Sequence, residues 1–186
     1  MTSEPLLSLR TFVDDLRSHG ELRDVTGAHW DLEIGAIAEL SYRAPHPPAL
    51  LFDDVVDYPA GMRLLTGSTA TARRLGRVLR LGDDLDDAEL TAALRGKPGT
   101  WAAEARRYPI TEVDRAPMLD NVAEGDDIDL LQFPVPRWHD RDGGRFIGTG
   151  CFVITSDPET GVHNGGCYRM QVQDEGRAAT ITKSEG

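Results

Sequence analysis

The stretch from Gly143 to Gln171 constrains the chain most. β-prone residues at Phe146-Ile147 and Phe152-Val153-Ile154-Thr155 precede the turn signal D-P-E-T-G, and V-H-N-G-G-C-Y-R-M-Q follows it. Two strands joined by an Asp-Pro turn account for that order. The arrangement brings Asn164, Arg169 and a glycine-rich backbone to one place, and glycine lets a backbone approach a ligand closely. In the second strand, about 166–173, alternation puts Tyr168, Met170 and Val172 on one face and Cys167, Arg169, Gln171 and Gln173 on the other. A third strand is expected at about 178–184, completing a meander that begins with a strand at about 146–156.

Upstream, the periods are helical as well as extended. Leu6, Leu9, Phe12, Val13 and Leu16 recur at helical spacing over 6–18, with Gly20 as a stop signal. Asp31 is the expected cap of a second helix running to about Ser41. Strands are predicted at about 49–56 and 63–66, a helix over 69–81 closed by Gly82, and a short helix from Asp86 or Asp87 to about Arg95. Alternating strands and helices predict an α/β layer. Prolines 98, 109, 117, 134 and 136 punctuate the loosened pattern between, which reads as a domain crossing. The expectation is an N-terminal α/β domain over 1–115 and a second, strand-rich domain over 116–186.

At 186 residues the chain can bury roughly 70% of its unfolded surface. Its 40% apolar and 27% charged residues argue for a folded protein. A net charge of -11 argues against a nucleic-acid partner, whose phosphates need clustered cations. The one dense basic run, Arg73-Arg74 with Arg77 and Arg80, has helical spacing and reads as an exposed helix face in preference to a binding patch. No N-terminal apolar stretch resembles a signal peptide or membrane span. With only Cys151 and Cys167, a reducing cytoplasm is expected and a disulfide is not.

Taken singly, the chemistry-bearing residues leave alternatives open. The Asn164 amide oxygen suits a hard cation, while N-G-G is equally a turn signal. Arg169 suits a bidentate clamp on a carboxylate, or a solvated or cross-strand-paired cation. His139 with Asp140 and Asp142 has metal-site composition but reads better as a polar loop before a strand. The five histidines form no H-x-x-x-H pattern, and no G-x-S-x-G, Walker A or dinucleotide fingerprint occurs.

In combination they are more specific. The succession L-L-Q-F-P-V-P-R-W-H-D-R-D-G-G-R-F-I-G-T-G, then F-V-I-T-S-D-P-E-T-G-V-H-N-G-G-C-Y-R-M-Q, resembles the UbiD family of decarboxylases, which use prenylated FMN. The segment P-A-L-L-F-D-D-V-V-D-Y-P-A-G-M-R-L-L-T-G-S resembles that family's N-terminal part, so the likeness runs the length of the chain. The resemblance implies a second domain that begins a split β-barrel of the flavin-reductase-like type. It also implies a carboxylic acid substrate, aromatic or α,β-unsaturated, and a homo-oligomer when complete. Family members hold the flavin phosphate through Mn2+ or another divalent metal on an Asn, a His and a Glu, with K+ nearby; the Asn corresponds to Asn164. Cys167, Tyr168 and Arg169 would lie against the flavin, with Ile181, Thr182 and Lys183 on its other side. Arg169 would orient the substrate carboxylate. The His ligand is expected just past Gly186, with the Glu ligand and the catalytic glutamates further on. The chain is therefore expected to be the N-terminal part of the enzyme, inactive alone; the alternative is a free-standing module that pairs with a second chain supplying the rest of the site.

Overall fold

The computed structural model describes residues 8–105, 107–109, 113–116, 119–174 and 176–179. It is a mixed helix and strand structure. Five α-helices occur among these residues: α1 (Leu9–Ser18), α2 (Glu33–Tyr42), α3 (Ala72–Val78), α4 (Asp87–Leu94) and α5 (Lys97–Ala105). The strands are β1 (Leu22–Thr26), β2 (Ala49–Asp53), β3 (Leu64–Thr66), β4 (Phe146–Ile147), β5 (Val153–Ser156), β6 (His163–Gly166), β7 (Met170–Asp174) and β8 (Arg177–Ala179). They form one sheet in the order β1-β2-β3, a second in the order β4-β7-β8, and a two-stranded β5-β6 ribbon. Ala49, Leu50, Leu51 and Phe52 are all buried, as a central strand covered on both faces requires.

Local chemistry sets several boundaries. Ser8 opens α1, its hydroxyl accepting from the Thr11 amide while Thr11 Oγ1 accepts from the Ser8 amide. Asp86 and Glu89 make the equivalent reciprocal pair at α4. The chain divides into two compact units. One comprises Met1–Arg23, Ser41–Leu50 and Leu65–Val122, the other Asp24–Leu40, Leu51–Leu64 and Ala123–Gly186.

In the first unit Phe12 and Leu16, one turn apart on α1, are buried with Ala49 and packed by Leu22 and Leu65. Burying side chains of this size contributes about 1.5–3 kcal/mol each. The basic run of α3 departs from expectation. Arg73 and Arg80 are exposed as expected, but Arg74 and Arg77 are only 2% and 8% exposed, so half of the run faces inward. Arg74 donates through Nη1 to the Pro47 carbonyl at 2.9 Å. Arg77 donates through Nε to Asp15 at 3.1 Å and through Nη2 to Glu21 at 2.5 Å. Burial weakens the charged form of Arg77, but the two carboxylates outweigh it and hold its pKa above the usual arginine value.

Helix α3 also ends earlier than the sequence predicts. Arg80 takes the left-handed conformation at φ 57°, with Arg80 N–H donating to Arg77 O and Leu81 N–H to Gly76 O, a Schellman closure made before Gly82 is reached. The loosened pattern at 96–136 concealed α5, and in β1 only Leu22 and Val25 are apolar, two positions that do not alternate as a strand face would.

In the second unit, Ala28, Ile34, Ala38, Leu51, Phe52, Val55, Val135, Pro136 and Val172 are buried. Asp31 does not cap α2. Leu32, at φ 68°, turns the chain into the helix, and Glu33 Oε2 accepts the His29 amide at 2.7 Å. The Asp31 carboxylate instead takes Arg137 Nε at 2.6 Å, next to a parallel bridge between the same two residues.

Candidate functional site

The β5-β6 ribbon pairs Thr155 with Asn164 and Ile154 with Gly165, antiparallel. Its turn is organised by Asp157, whose Oδ1 accepts the amides of Glu159 and Thr160, both at 2.8 Å. Gly161 closes the turn at φ 70°, and its amide donates to the Asp157 carbonyl. Those backbone donors, Thr160 first, hold the Asp157 carboxyl below the usual carboxylate range. This is the Asp-Pro turn that the sequence predicts.

The strands on either side of the turn are not continuous, in contrast to the predicted three-strand meander. Both are interrupted, at 148–152 and at 167–169, before pairing resumes in β4 and β7. Gly148, at φ 70°, turns the first strand aside, and its carbonyl accepts the Cys151 amide at 3.1 Å. Across the gap, Cys151 Sγ donates to the Tyr168 carbonyl at 3.0 Å. Cys151 and Cys167 are both free thiols. The two-residue alternation therefore holds over β7 and not over the whole predicted strand.

Asn164 lies exposed on β6, while Cys167, Tyr168 and Arg169 occupy the unpaired link to β7. The glycine faces beside Asn164 carry the chain's own rings. A Cβ on Gly165 would meet Phe152 Cζ at 2.4 Å, and one on Gly166 would meet the Tyr168 ring at 2.6 Å. The guanidinium carbon of Arg169 stands 5.8 Å from the centroid of the Phe146 ring, within cation–π range. Ile181, Thr182 and Lys183 lie outside the described residues.

Among the described residues no group of three or more His, Cys, Asp or Glu side chains is arranged to hold a metal ion. Asn164 would contribute one amide oxygen, where manganese or magnesium takes about six ligands. A bound divalent metal therefore does not fit the described residues alone. His139 and Asp142 close a turn on themselves, the Asp142 carboxylate accepting the His139 amide at 3.0 Å.

Sequence reasoning passed over a cluster in the same unit. Arg137 N–H donates to Trp30 O at 3.1 Å and Leu32 N–H to Arg137 O at 2.9 Å. The hydrogen bond from Arg137 holds the Asp31 carboxyl below its usual range. Trp30 Nε1 donates to Asp57 at 3.1 Å, and Arg145 lies over the Trp30 ring with its guanidinium carbon 4.1 Å from the centroid. Arg137 and Arg145 belong to the W-H-D-R-D-G-G-R neighbourhood, but their partners are remote in sequence, so no local spacing marks them.

This fold recurs in solved decarboxylases. The closed form of vanillic acid decarboxylase from Sedimentibacter hydroxybenzoicus superposes with a TM-score of 0.77 at 22% identity, covering 96% of this chain and 37% of that one. An evolved dimeric form of the UbiD-class enzyme HmfF from Pelotomaculum thermopropionicum, in complex with prFMN, gives 0.71 at 25% identity, covering 95% and 38%. In sequence, the pyrrole-2-carboxylic acid decarboxylase of Pseudomonas aeruginosa is 35% identical over 189 residues, covering 95% of this chain. The chain spans 36% of that relative's length. Residues 13–94 match the 3-octaprenyl-4-hydroxybenzoate carboxy-lyase N-terminal domain, and residues 110–186 match the Rift-related domain of the same carboxy-lyase. Together the two matches take in most of the chain, which belongs to the UbiD family. No described helix is long and apolar enough to cross a membrane.

Proposed function

We propose that the chain is the N-terminal part of a carboxy-lyase that reversibly and non-oxidatively decarboxylates an aromatic or α,β-unsaturated acid with prenylated FMN. The observation that carries this reading is the succession of the two matched carboxy-lyase domains in a chain 35% identical to a named decarboxylase. In this reading the second domain, from about residue 116, begins a split β-barrel, which the short antiparallel strands β4 to β8 support.

Arg169 grips the substrate carboxylate. It is exposed, cationic and backed by the Phe146 ring, so its two-pronged donor edge can be presented to an acid. Its value lies in orientation, because an equally tight hold on substrate and transition state would leave the barrier unchanged. Cys167, Tyr168 and Arg169, with Ile181, Thr182 and Lys183, would line the cofactor, which when bound would supply the electron sink of the reaction. Asn164 would give one oxygen to a divalent metal, Mn2+ by preference; the other ligands and the K+ site would have to come from polypeptide outside these residues. The complete enzyme is a cytoplasmic homo-oligomer.

The test is turnover by the complete native polypeptide reconstituted with prenylated FMN, using pyrrole-2-carboxylate and then benzoate and acrylate types. Carbon dioxide release that depends on the cofactor is expected; the absence of both release and flavin retention with all of these acids would overturn the reading. A second reading, a module that pairs with another chain, is favoured by the apolar exposure of the ribbon, where Phe152, Ile154 and Val162 are 66%, 69% and 64% exposed. It predicts a 20.4 kDa species with a co-purifying partner in the source cell, where the first reading predicts a longer polypeptide.

A further inference from the structure

Arg145 joins separate stretches of its unit through one side chain. Its guanidinium carbon lies 4.1 Å from the centroid of Trp30 and 5.7 Å from that of Tyr58. Its Nη2 donates to the Tyr58 hydroxyl, and its Nε donates to the Val135 carbonyl at 2.7 Å. Only a planar cation with donors along its edge can stack on rings and make both bonds; a lysine ammonium cannot.

The backbone of Arg145 meanwhile belongs to the β4-β7 pairing. Its carbonyl accepts the Val172 amide at 2.9 Å, and the next residue, Phe146, pairs with Gln171 and donates its amide to Pro136 O at 3.0 Å. The Phe146 ring is the surface on which Arg169 rests. Arg169 itself sits in the unpaired link before β7, so its location depends on where β7 starts and where Phe146 stands. A continuous series of contacts therefore runs from Trp30 and Tyr58, through Arg145 and Phe146, to Arg169.

We infer that Arg145 is a positioning residue: it clamps β4 against Trp30, Tyr58 and Val135, and through Phe146 and β7 it sets where the Arg169 guanidinium stands. The part that concerns turnover rests on the carboxy-lyase reading; the mechanical part does not.

The experiment compares the complete enzyme with its Arg145→Met, Arg145→Lys and Tyr58→Phe variants, by amide hydrogen exchange and by steady-state kinetics. Arg145→Met is expected to speed exchange at Phe146 and Val172 at least tenfold while leaving Ile34 to Ala38 of α2 unchanged. It is expected to lower kcat by about tenfold or more with a smaller change in KM, as a misplaced orienting group does. Lysine is expected not to rescue either effect, and Tyr58→Phe to move both in the same direction by less. Unchanged exchange at Phe146 and Val172, an equal rise throughout α2, or a kcat equal to that of the parent would overturn the inference. If Arg145→Met fails to fold, Tyr58→Phe decides by the same criteria. If the parent turns over no acid, the carboxy-lyase reading falls and the exchange pattern alone decides the role of Arg145.

Discussion

Gly35 of α2 lies directly against the Trp138 carbonyl: a Cβ built on Gly35 would stand 1.8 Å from that oxygen. The helix can approach the strand-like segment 135–138 only because this position lacks a side chain. Alanine would improve helix propensity by about 1 kcal/mol, yet the clash is with backbone, which cannot swing aside. Gly35→Ala is therefore expected to be destabilising, by about 1–3 kcal/mol in urea unfolding. A stabilised variant would mean that the segment yields freely.

Arg77 is the cation shared by Asp15 and Glu21. Its side chain is 5% exposed and those of the two acids 19% and 11%, so little solvent screens the trio. Arg77→Ala removes the closest cation from both acids, leaving Glu21 only the half-exposed Arg73 at 3.8 Å and Asp15 only His19 at 3.5 Å, and is expected to cost about 3 kcal/mol, read from the same unfolding curves. A loss below about 1 kcal/mol, the range of surface pairs, would contradict this account.

Arg80 occupies the left-handed position of the Schellman closure, where a Cβ costs about 1–2 kcal/mol. Arg80→Gly removes that strain and is expected to raise stability by roughly 0.5–1 kcal/mol once the looser unfolded chain is counted. An unchanged or lower melting temperature would show that the arginine side chain compensates.

Acid should weaken the fold through a defined set of carboxylates. Asp31 is held low by Arg137, Asp53 by the amides of Gly61 and Asp54, Asp157 by those of Thr160 and Glu159, and Asp174 by Arg177. Each folded pKa lies below the unfolded value of about 3.9, so the contribution is complete above that pH and is lost as pH falls through the folded values. Melting temperature is expected to be flat near neutrality and to drop below about pH 4, less steeply in Asp31→Asn or Asp157→Asn. Parallel slopes in variants and parent would contradict the assignment.

Arg169→Ala in the complete enzyme is expected to abolish decarboxylation while leaving flavin retention largely intact. Retained turnover would remove the orienting role. Loss of turnover and flavin together would make Arg169 part of the cofactor cradle instead.

The features legible in the sequence are those made by neighbours. The Asp86 cap of α4 and the Asp157 turn each complete their hydrogen bonds within three or four residues, so residue type and spacing suffice to find them. The family likeness has the same character, since ordered short motifs carry it. At Asp31, Arg74 and Arg77 the reading failed because a distant group intervened. Arg74 and Arg77 have the spacing of a solvated helix face, and only the Pro47 carbonyl and the Asp15 and Glu21 carboxylates turn that face inward. The predicted second strand shows good alternation, but unpaired backbone at 167–169 separates Gly166, in the β5-β6 ribbon, from β7, in the β4-β7-β8 sheet.

Residue order alone was enough for the start of α4, the Asp157 turn, the α/β character and the family. Folding had to choose the partners of the charges: Glu21 for Arg77 across 56 residues, Tyr58 for Arg145 across 87, and Asp31 for Arg137 across 106. A cap or a turn is closed by bonds a few residues long, which the covalent chain itself enforces. A buried or stacked guanidinium takes whichever acceptor and ring lie within a few ångströms once water is excluded, and that distance is a property of the packed chain.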